Sequence, residues 1–276
     1  MRTSPTHPTM LVRRFLRSIQ KYGLRGALSH AFARIIRSLR NYGLRGSVFR
    51  AFRKAPPPPR KPAPPPHPFD LLHGTDTGGW ITWDELAAST PSSFYVVASL
   101  GIAPSALAQA IEHLPCKLEE LTFVDIGSGK GRAMIVAAQF PFRRIIGVEL
   151  SSDICRIAET NIATNPEWGA RTSILNQNAA TVVYPEAPLL IFMYHPFFAP
   201  VLRKVLANLE RQLRRSPRET WLLYADNPHY SRVLNKFPFL REISETSYKL
   251  SAEDAAAQMT GQAQLSFTLY SVDLSC

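Results

Sequence analysis

A chain of 276 residues that is 45% hydrophobic can bury the core of one ordinary domain and still carry an appendage. Its net charge of +11 is unevenly placed: residues 1–69 hold 15 Lys/Arg and no acid, whereas residues 70–276 hold 17 Lys/Arg against 21 acids. Cys116, Cys155 and Cys276 are far apart, odd in number and without any C-x-x-C, which argues against a disulfide framework or a zinc site and for a reducing, cytoplasmic setting.

No apolar run of membrane-spanning length is unbroken. The best candidate, Phe94 to Ile111, is interrupted by Ser99, Gly101, Pro104, Ser105 and Gln109. Arginines every few residues break the start of the chain as well, which argues against a secretory signal.

Residues 1–54 form a basic segment with an internal repeat. Arg17-Ser-Ile-Gln-Lys-Tyr-Gly-Leu-Arg-Gly26 matches Arg37-Ser-Leu-Arg-Asn-Tyr-Gly-Leu-Arg-Gly46 at a period of twenty residues. In each copy apolar residues recur at helical spacing (Leu11, Phe15, Ile19, Tyr22; then Leu28, Phe32, Ile35, Leu39, Tyr42), with arginines between them and a closing glycine. The pattern predicts two short basic amphipathic helices. Such helices suit an anionic membrane surface or an acidic partner. A disordered leader or an organelle transit peptide has the same composition, and arginine clusters also bind nucleic acid, although no aromatic stacking platform accompanies these. Residues 55–68, nine of the fourteen being proline, predict a polyproline II spacer, so the folded domain is expected over residues 69–276.

The stretch with a prescribed chemistry is Leu121-Thr-Phe-Val-Asp-Ile-Gly-Ser-Gly-Lys-Gly-Arg-Ala133. Leu121 to Ile126 reads as a buried strand and Ala133 to Phe140 as the helix after it. Between them Gly127, Gly129 and Gly131 permit positive φ and a close approach of main chain to a ligand. The dinucleotide fingerprint G-x-G-x-x-G fails because Arg132 occupies its third glycine, and the phosphate loop fails because Gly131, not Ser or Thr, follows Lys130. What remains, an acid two places before G-x-G-x-G, resembles motif I of the class I S-adenosylmethionine (SAM)-dependent methyltransferases, in the D-x-G-S-G-K-G-R form of a bacterial group.

That resemblance implies a cofactor site at Asp125, Gly127, Ser128, Gly129, Lys130 and Gly131, with the acid ordering the loop and the methionine part of SAM. Lys130 and Arg132 stand where a helix dipole disfavours cations, so one of them is expected to meet the methionine carboxylate; solvation at the surface is the competing explanation. By the same resemblance, Asp70 to Trp80 and Ser89 to Tyr95 fold over the cofactor, although both also read as ordinary capping loops.

Arg144 to Glu149 reads as the second strand, its terminal Glu149 lying 18 residues beyond Gly131. A carboxylate at a neighbouring strand tip can accept from both ribose hydroxyls. Ser151 caps a predicted helix to Ala163, and Thr172 to Gln177 reads as the third strand. It is followed by Asn178-Ala179, where the family usually has an acid for the adenine amino group; an amide oxygen can accept the same bond. Leu189 to Phe198, the fourth strand and its exit, resembles the N-P-P-[FY] or Y-N-P-F signature of amine- and amide-directed methyltransferases, with His195 in place of the Asn. Tyr194 and His195 are therefore the candidate catalytic residues, His195 as a base for an amine or hydroxyl or else as a structural hydrogen-bonding residue.

The remaining expected elements are a helix from Pro200 to Arg214, a strand from Glu219 to Tyr224, a helix near Tyr230 to Lys236, and strands near Arg241 to Lys249 and Gln264 to Val272. The fold class expected is α/β, a Rossmann-like seven-stranded methyltransferase sheet, mostly parallel and closed by a C-terminal antiparallel hairpin. The function implied by the resemblance is methyl transfer from SAM to a nucleophile, with nitrogen (a protein lysine or a small-molecule amine) favoured by the aromatic setting of Tyr194 to Phe198. The alternative is a SAM-binding adaptor without turnover, recruited by its basic tail to a membrane periphery or an acidic partner.

Overall fold

The computed structural model describes residues 66–79, 101–194, 196–225, 232–257 and 261–275, all within the compact unit Pro64–Cys276. The basic repeat, the segment from Ser89 to Tyr95, His195 and the start of the helix expected at Tyr230 lie outside the described residues.

The sheet has seven strands: β1 Thr122–Ile126, β2 Arg144–Glu149, β3 Thr172–Asn176, β4 Leu189–Tyr194, β5 Thr220–Ala225, β6 Leu240–Lys249 and β7 Gln264–Val272. Their spatial order is β3-β2-β1-β4-β5-β7-β6. The first five are parallel, and β7 runs antiparallel between β5 and β6. This is the seven-stranded methyltransferase arrangement. Its helices and short turns are α1 Pro68–His73, α2 Pro104–Glu112, α3 Arg132–Ala137, α4 Ser152–Ala163, α5 Pro166–Gly169, α6 Ala199–Arg215 and α7 Ala252–Ala257.

The central strands are apolar without alternation because both of their faces are covered. Along β4, Leu190 and Phe192 join the cluster on one face with Phe123, α2 and α3, while Leu189, Ile191 and Met193 join the other with Val124, Ile126 and α6. Phe123 stacks on Phe192 with ring centroids 5.7 Å apart, so the first face is built on aromatic contact across neighbouring strands. On α6, Leu202, Val205, Leu206, Leu209 and Leu213 are buried at helical spacing, and its arginines face outward.

Most element boundaries lie within a residue or two of those expected. The exception is α3, which closes at Ala137 rather than Phe140, and a contact distant in sequence accompanies the early end. Arg171 donates to the carbonyls of Phe140 and Phe142 at 2.6 and 2.7 Å and to that of Ala138, so those acceptors serve a side chain instead of a further helical turn.

After β1 the chain moves outward to β2 and β3, then returns to place β4 against the opposite edge of β1. The carboxyl ends of β1 and β4 therefore diverge at a topological switch point, which is where open parallel sheets take ligands.

Candidate functional site

The glycine turn folds as its residue types require. Gly127, Gly129 and Gly131 have φ of 79°, 53° and 88°, values that L side chains rarely adopt. Gly127 N–H and Ser128 N–H both donate to the Val148 carbonyl, at 2.9 and 3.1 Å, which ties the turn to the tip of β2. Of the two that meet a neighbour, Gly127 is needed for packing as well as conformation, whereas Gly131 has room for a Cβ at ordinary contact distance. A Cβ on Gly127 would stand 2.4 Å from that of Pro196, and one on Gly131 3.4 Å from that of Ala158 in α4. Gly127 is thus pressed against the exit of β4, a constraint that the spacing of the glycines did not suggest.

Two acids flank this turn. Asp125, one residue before the end of β1, is 3% exposed, and its carboxyl makes no hydrogen bond among the described residues. Burial, and then the charge of Glu149, push that carboxyl up to about 8. Glu149, the last residue of β2, is oriented by main chain: Gly129 N–H donates to Oε2 at 3.1 Å and Ser151 N–H to Oε1 at 2.9 Å. Burial raises its pKa too, against the opposing effect of those N–H groups. Each oxygen of Glu149 keeps a lone pair for a further donor.

The other expected residues converge on the same end of the sheet. Asn178 follows β3 two residues beyond Asn176, which pairs with Glu149. Its Oδ1 already accepts from Ala180 N–H at 2.9 Å, so the amide closes its own turn and has one lone pair left over. Ala179 beside it is buried. Tyr194 ends β4, half-buried against the cluster that contains α2 and α3. Pro196 brings the segment after it against Gly127. Ser128 Oγ is buried without a partner among the described residues.

Lys130 and Arg132 have protein partners. Lys130 Nζ donates to Asp76 Oδ1 at 2.7 Å and to the Gly78 carbonyl at 2.9 Å. Arg132 is 5% exposed and reaches Asp70 Oδ2 at 3.3 Å and Thr77 Oγ1 at 2.7 Å, so surface solvation does not describe it. Asp70 and Thr77 belong to the segment expected to fold over the cofactor, but the sequence assigns neither a partner, and it does not point to Asn161. The one local hint was that Asp70 and Asp76 are the first acids after an acid-free stretch of 69 residues.

The donor set fits a cationic nucleoside such as SAM. A buried carboxyl without a hydrogen bond lies beside a second carboxylate with spare lone pairs, and a positive or hydroxyl-bearing ligand would relieve both. Among the described residues no helix is long and apolar enough to cross a membrane.

Residues 96–181, which hold the turn, Glu149 and Asn178-Ala179, match the family model described as DOT1, histone methylation protein. A comparison with curated proteins finds no match. Among solved structures, the ribosomal protein L11 methylase of Lactobacillus delbrueckii subsp. bulgaricus is similar at 17% identity and a TM-score of 0.44, covering 60% of this chain and 78% of that one. Magnesium protoporphyrin IX methyltransferase from Synechocystis PCC 6803, solved with bound SAM, is similar at 12% identity and a TM-score of 0.44, covering 62% and 78%. The glycopeptide N-methyltransferase MtfA, complexed with SAM, is similar at 9% identity and a TM-score of 0.48, covering 62% and 87%.

Proposed function

We propose that this chain is a SAM-dependent methyltransferase acting on nitrogen, in a protein lysine or a small-molecule amine. The observation that carries the reading is the carboxyl pair Asp125 and Glu149, set on adjacent strand tips either side of a turn whose three glycines all have positive φ. Asp125, Gly127, Ser128, Gly129, Lys130, Gly131, Glu149, Asn178 and Ala179 would hold the cofactor, Lys130 through its main chain because its ammonium is engaged elsewhere. When bound, SAM supplies an electrophilic methyl group. The protein's own work is to align the acceptor and to keep it deprotonated. Tyr194 and His195, at the exit of the strand that meets the turn, are assigned to that work, His195 as the base.

The matched family description, histone methylation, supports a protein as acceptor. The basic segment 1–54 is assigned to an anionic membrane surface or an acidic partner, with residues 55–68 as its spacer and 69–276 as the catalytic domain. A second reading rests on that charged segment, in which the domain binds SAM without turnover and serves as an adaptor.

Calorimetry of the full chain with SAM and its demethylated product S-adenosylhomocysteine (SAH) tests the site, and absence of heat with both would end the proposal. Transfer of label from SAM to a cell extract separates enzyme from adaptor. Labelled product is expected from wild type and not from Asp125→Ala or His195→Ala, whereas binding without any labelled product leaves the adaptor. Pelleting with phosphatidylserine vesicles at low and high salt tests the tail, and indifference to the anionic lipid rejects membrane contact.

A further inference from the structure

Two cations, Lys130 within the glycine turn and Arg132 at the first residue of α3, stand where the helix dipole opposes them. Both are answered from one short segment, Asp70 to Gly78. Arg132 is the centre of this arrangement. Its guanidinium meets Asp70 Oδ2 at 3.3 Å, Thr77 Oγ1 at 2.7 Å and the Ile102 carbonyl at 3.5 Å. Asp70 Oδ1 in turn accepts from Thr75 Oγ1 and Thr77 N–H, each at 2.8 Å, and from Thr77 Oγ1 at 2.5 Å, which folds the segment back on itself. Room for the guanidinium depends on two glycines outside the motif. A Cβ on Gly101 would stand 2.6 Å from Arg132 Nη1, and one on Gly78 3.0 Å from Asp70 Oδ2.

The far end of the segment is tied to the turn itself. Besides the Lys130 contacts with Asp76 and Gly78, Asn161 of α4 accepts from Asp76 N–H at 2.8 Å and donates to the carbonyls of Asp76 and Lys130 at 3.0 and 2.9 Å. Near its start, Phe69 is buried, its ring 4.5 Å from that of His73, which lies 5.2 Å from Trp168. Leu71 and Leu72, by contrast, are 70% and 78% exposed. Gly74 and Gly79, with φ of 67° and 83°, bracket Thr75 to Gly78. The segment is therefore anchored by apolar contact at one end and by polar contacts to Lys130, Arg132 and Asn161 over the rest. Polar latches of this kind open locally at less cost than the core unfolds.

We propose that Arg132 and Lys130 are positioning residues that latch Thr75 to Gly78 as a strap beside the glycine turn, and that opening of the strap sets how fast the ligand of that turn is released. The identity of that ligand as SAM or SAH rests on the function proposed above. The latch itself does not. It accounts for the cations of the Lys-Gly-Arg at the end of the turn, since their side chains act on the strap.

Hydrogen exchange on the full chain without ligand tests the latch. In Arg132→Lys and Asp70→Asn, amides of Thr75–Gly78 and of Gly129–Gly131 should exchange together about tenfold faster, with a smaller rise in Lys130→Met, while β4 and β5 keep their wild-type rates. Unchanged exchange in both segments overturns the latch, as does an equal rise across β4 and β5, which would mark a purely structural role. Stopped-flow dissociation of SAH should quicken about tenfold in the same variants. A loosened strap with unchanged SAH dissociation overturns the gating role. If wild type takes up neither SAM nor SAH, the cofactor assignment and the gating fail together, and the exchange result still decides the latch.

Discussion

Asp125 and Asp70 are equally withdrawn from water, at 3% and 4% exposure, yet their carboxyls shift in opposite directions. Burial pushes both up. For Asp70 the hydrogen bonds from Thr77 and Thr75 and the charge of Arg132 outweigh it and hold the pKa below the ordinary value. For Asp125 nothing among the described residues offsets burial, and Glu149 adds like-charge repulsion, so its pKa rises to about 8. Burial alone therefore does not tell a structural acid from a functional one. The difference lies in whether the protein supplies the counterpart, as it does for Asp70, or supplies none among the described residues, as at Asp125, where the proposed function assigns that part to a ligand.

The comparison breaks most severely if Arg132 is lost. Arg132→Leu leaves the Asp70 carboxylate buried without its cation and should cost about 3–5 kcal/mol at pH 7, read as a lower urea midpoint. Because the folded pKa of Asp70 lies below its unfolded value, its stabilisation is present above that unfolded value and is lost as pH falls through the folded one. The gap between wild type and variant should therefore narrow below about pH 4.

A smaller effect is expected between the two acids, at the turn. Gly127→Ala would force a Cβ to 2.4 Å from Pro196 at a φ of 79°. It should lower stability by about 1–3 kcal/mol and move the β4 exit away from the turn. Gly131→Ala, at 3.4 Å from Ala158, should cost only its backbone strain. Equal losses in the two variants would show that Pro196 is not a rigid wall.

A change at Asp125 sharpens the contrast from the other side. Asp125 is raised to about 8 in the folded protein from 3.8, so between those values the folded state holds a proton that the unfolded state lacks. Stability therefore falls as pH rises through that window, by at most about 1.4 kcal/mol per pH unit from this one group. Asp125→Asn removes that slope. The ligand-free variant should melt higher than wild type, by a margin that grows from pH 5 to pH 8, while losing SAM binding. A variant that melts lower at pH 8 would show that Asp125 is satisfied rather than held for a ligand.

Much of the candidate site's layout is legible in the residue order. Asp125, the three glycines and Glu149 are local in sequence or sit at consecutive strand tips, and period and spacing report such relations directly. The expected contact of Lys130 or Arg132 with the methionine carboxylate, by comparison, used only the local rule that a cation opposes a helix N-terminus. That rule cannot see an acid 54 or 62 residues earlier in the chain, where the structure finds Asp76 and Asp70. The same limit hid Asp254, which accepts from Ser105 N–H at the start of α2 at 2.7 Å across 149 positions. The helix overrun at Phe140 has a similar origin, because Arg171, which occupies the final carbonyls, belongs to the approach to β3.

By itself the sequence determined the α/β class, the seven strands and the place of the glycine turn, since each follows from hydrophobic period or glycine spacing over neighbouring residues. Only the tertiary structure decided which charges meet. It set Asp125 beside Glu149 without a compensating cation among the described residues, and it gave Arg132 to Asp70. Helical and strand periods describe one element at a time, whereas the energy of a buried charge depends on whatever the fold brings within a few ångströms of it.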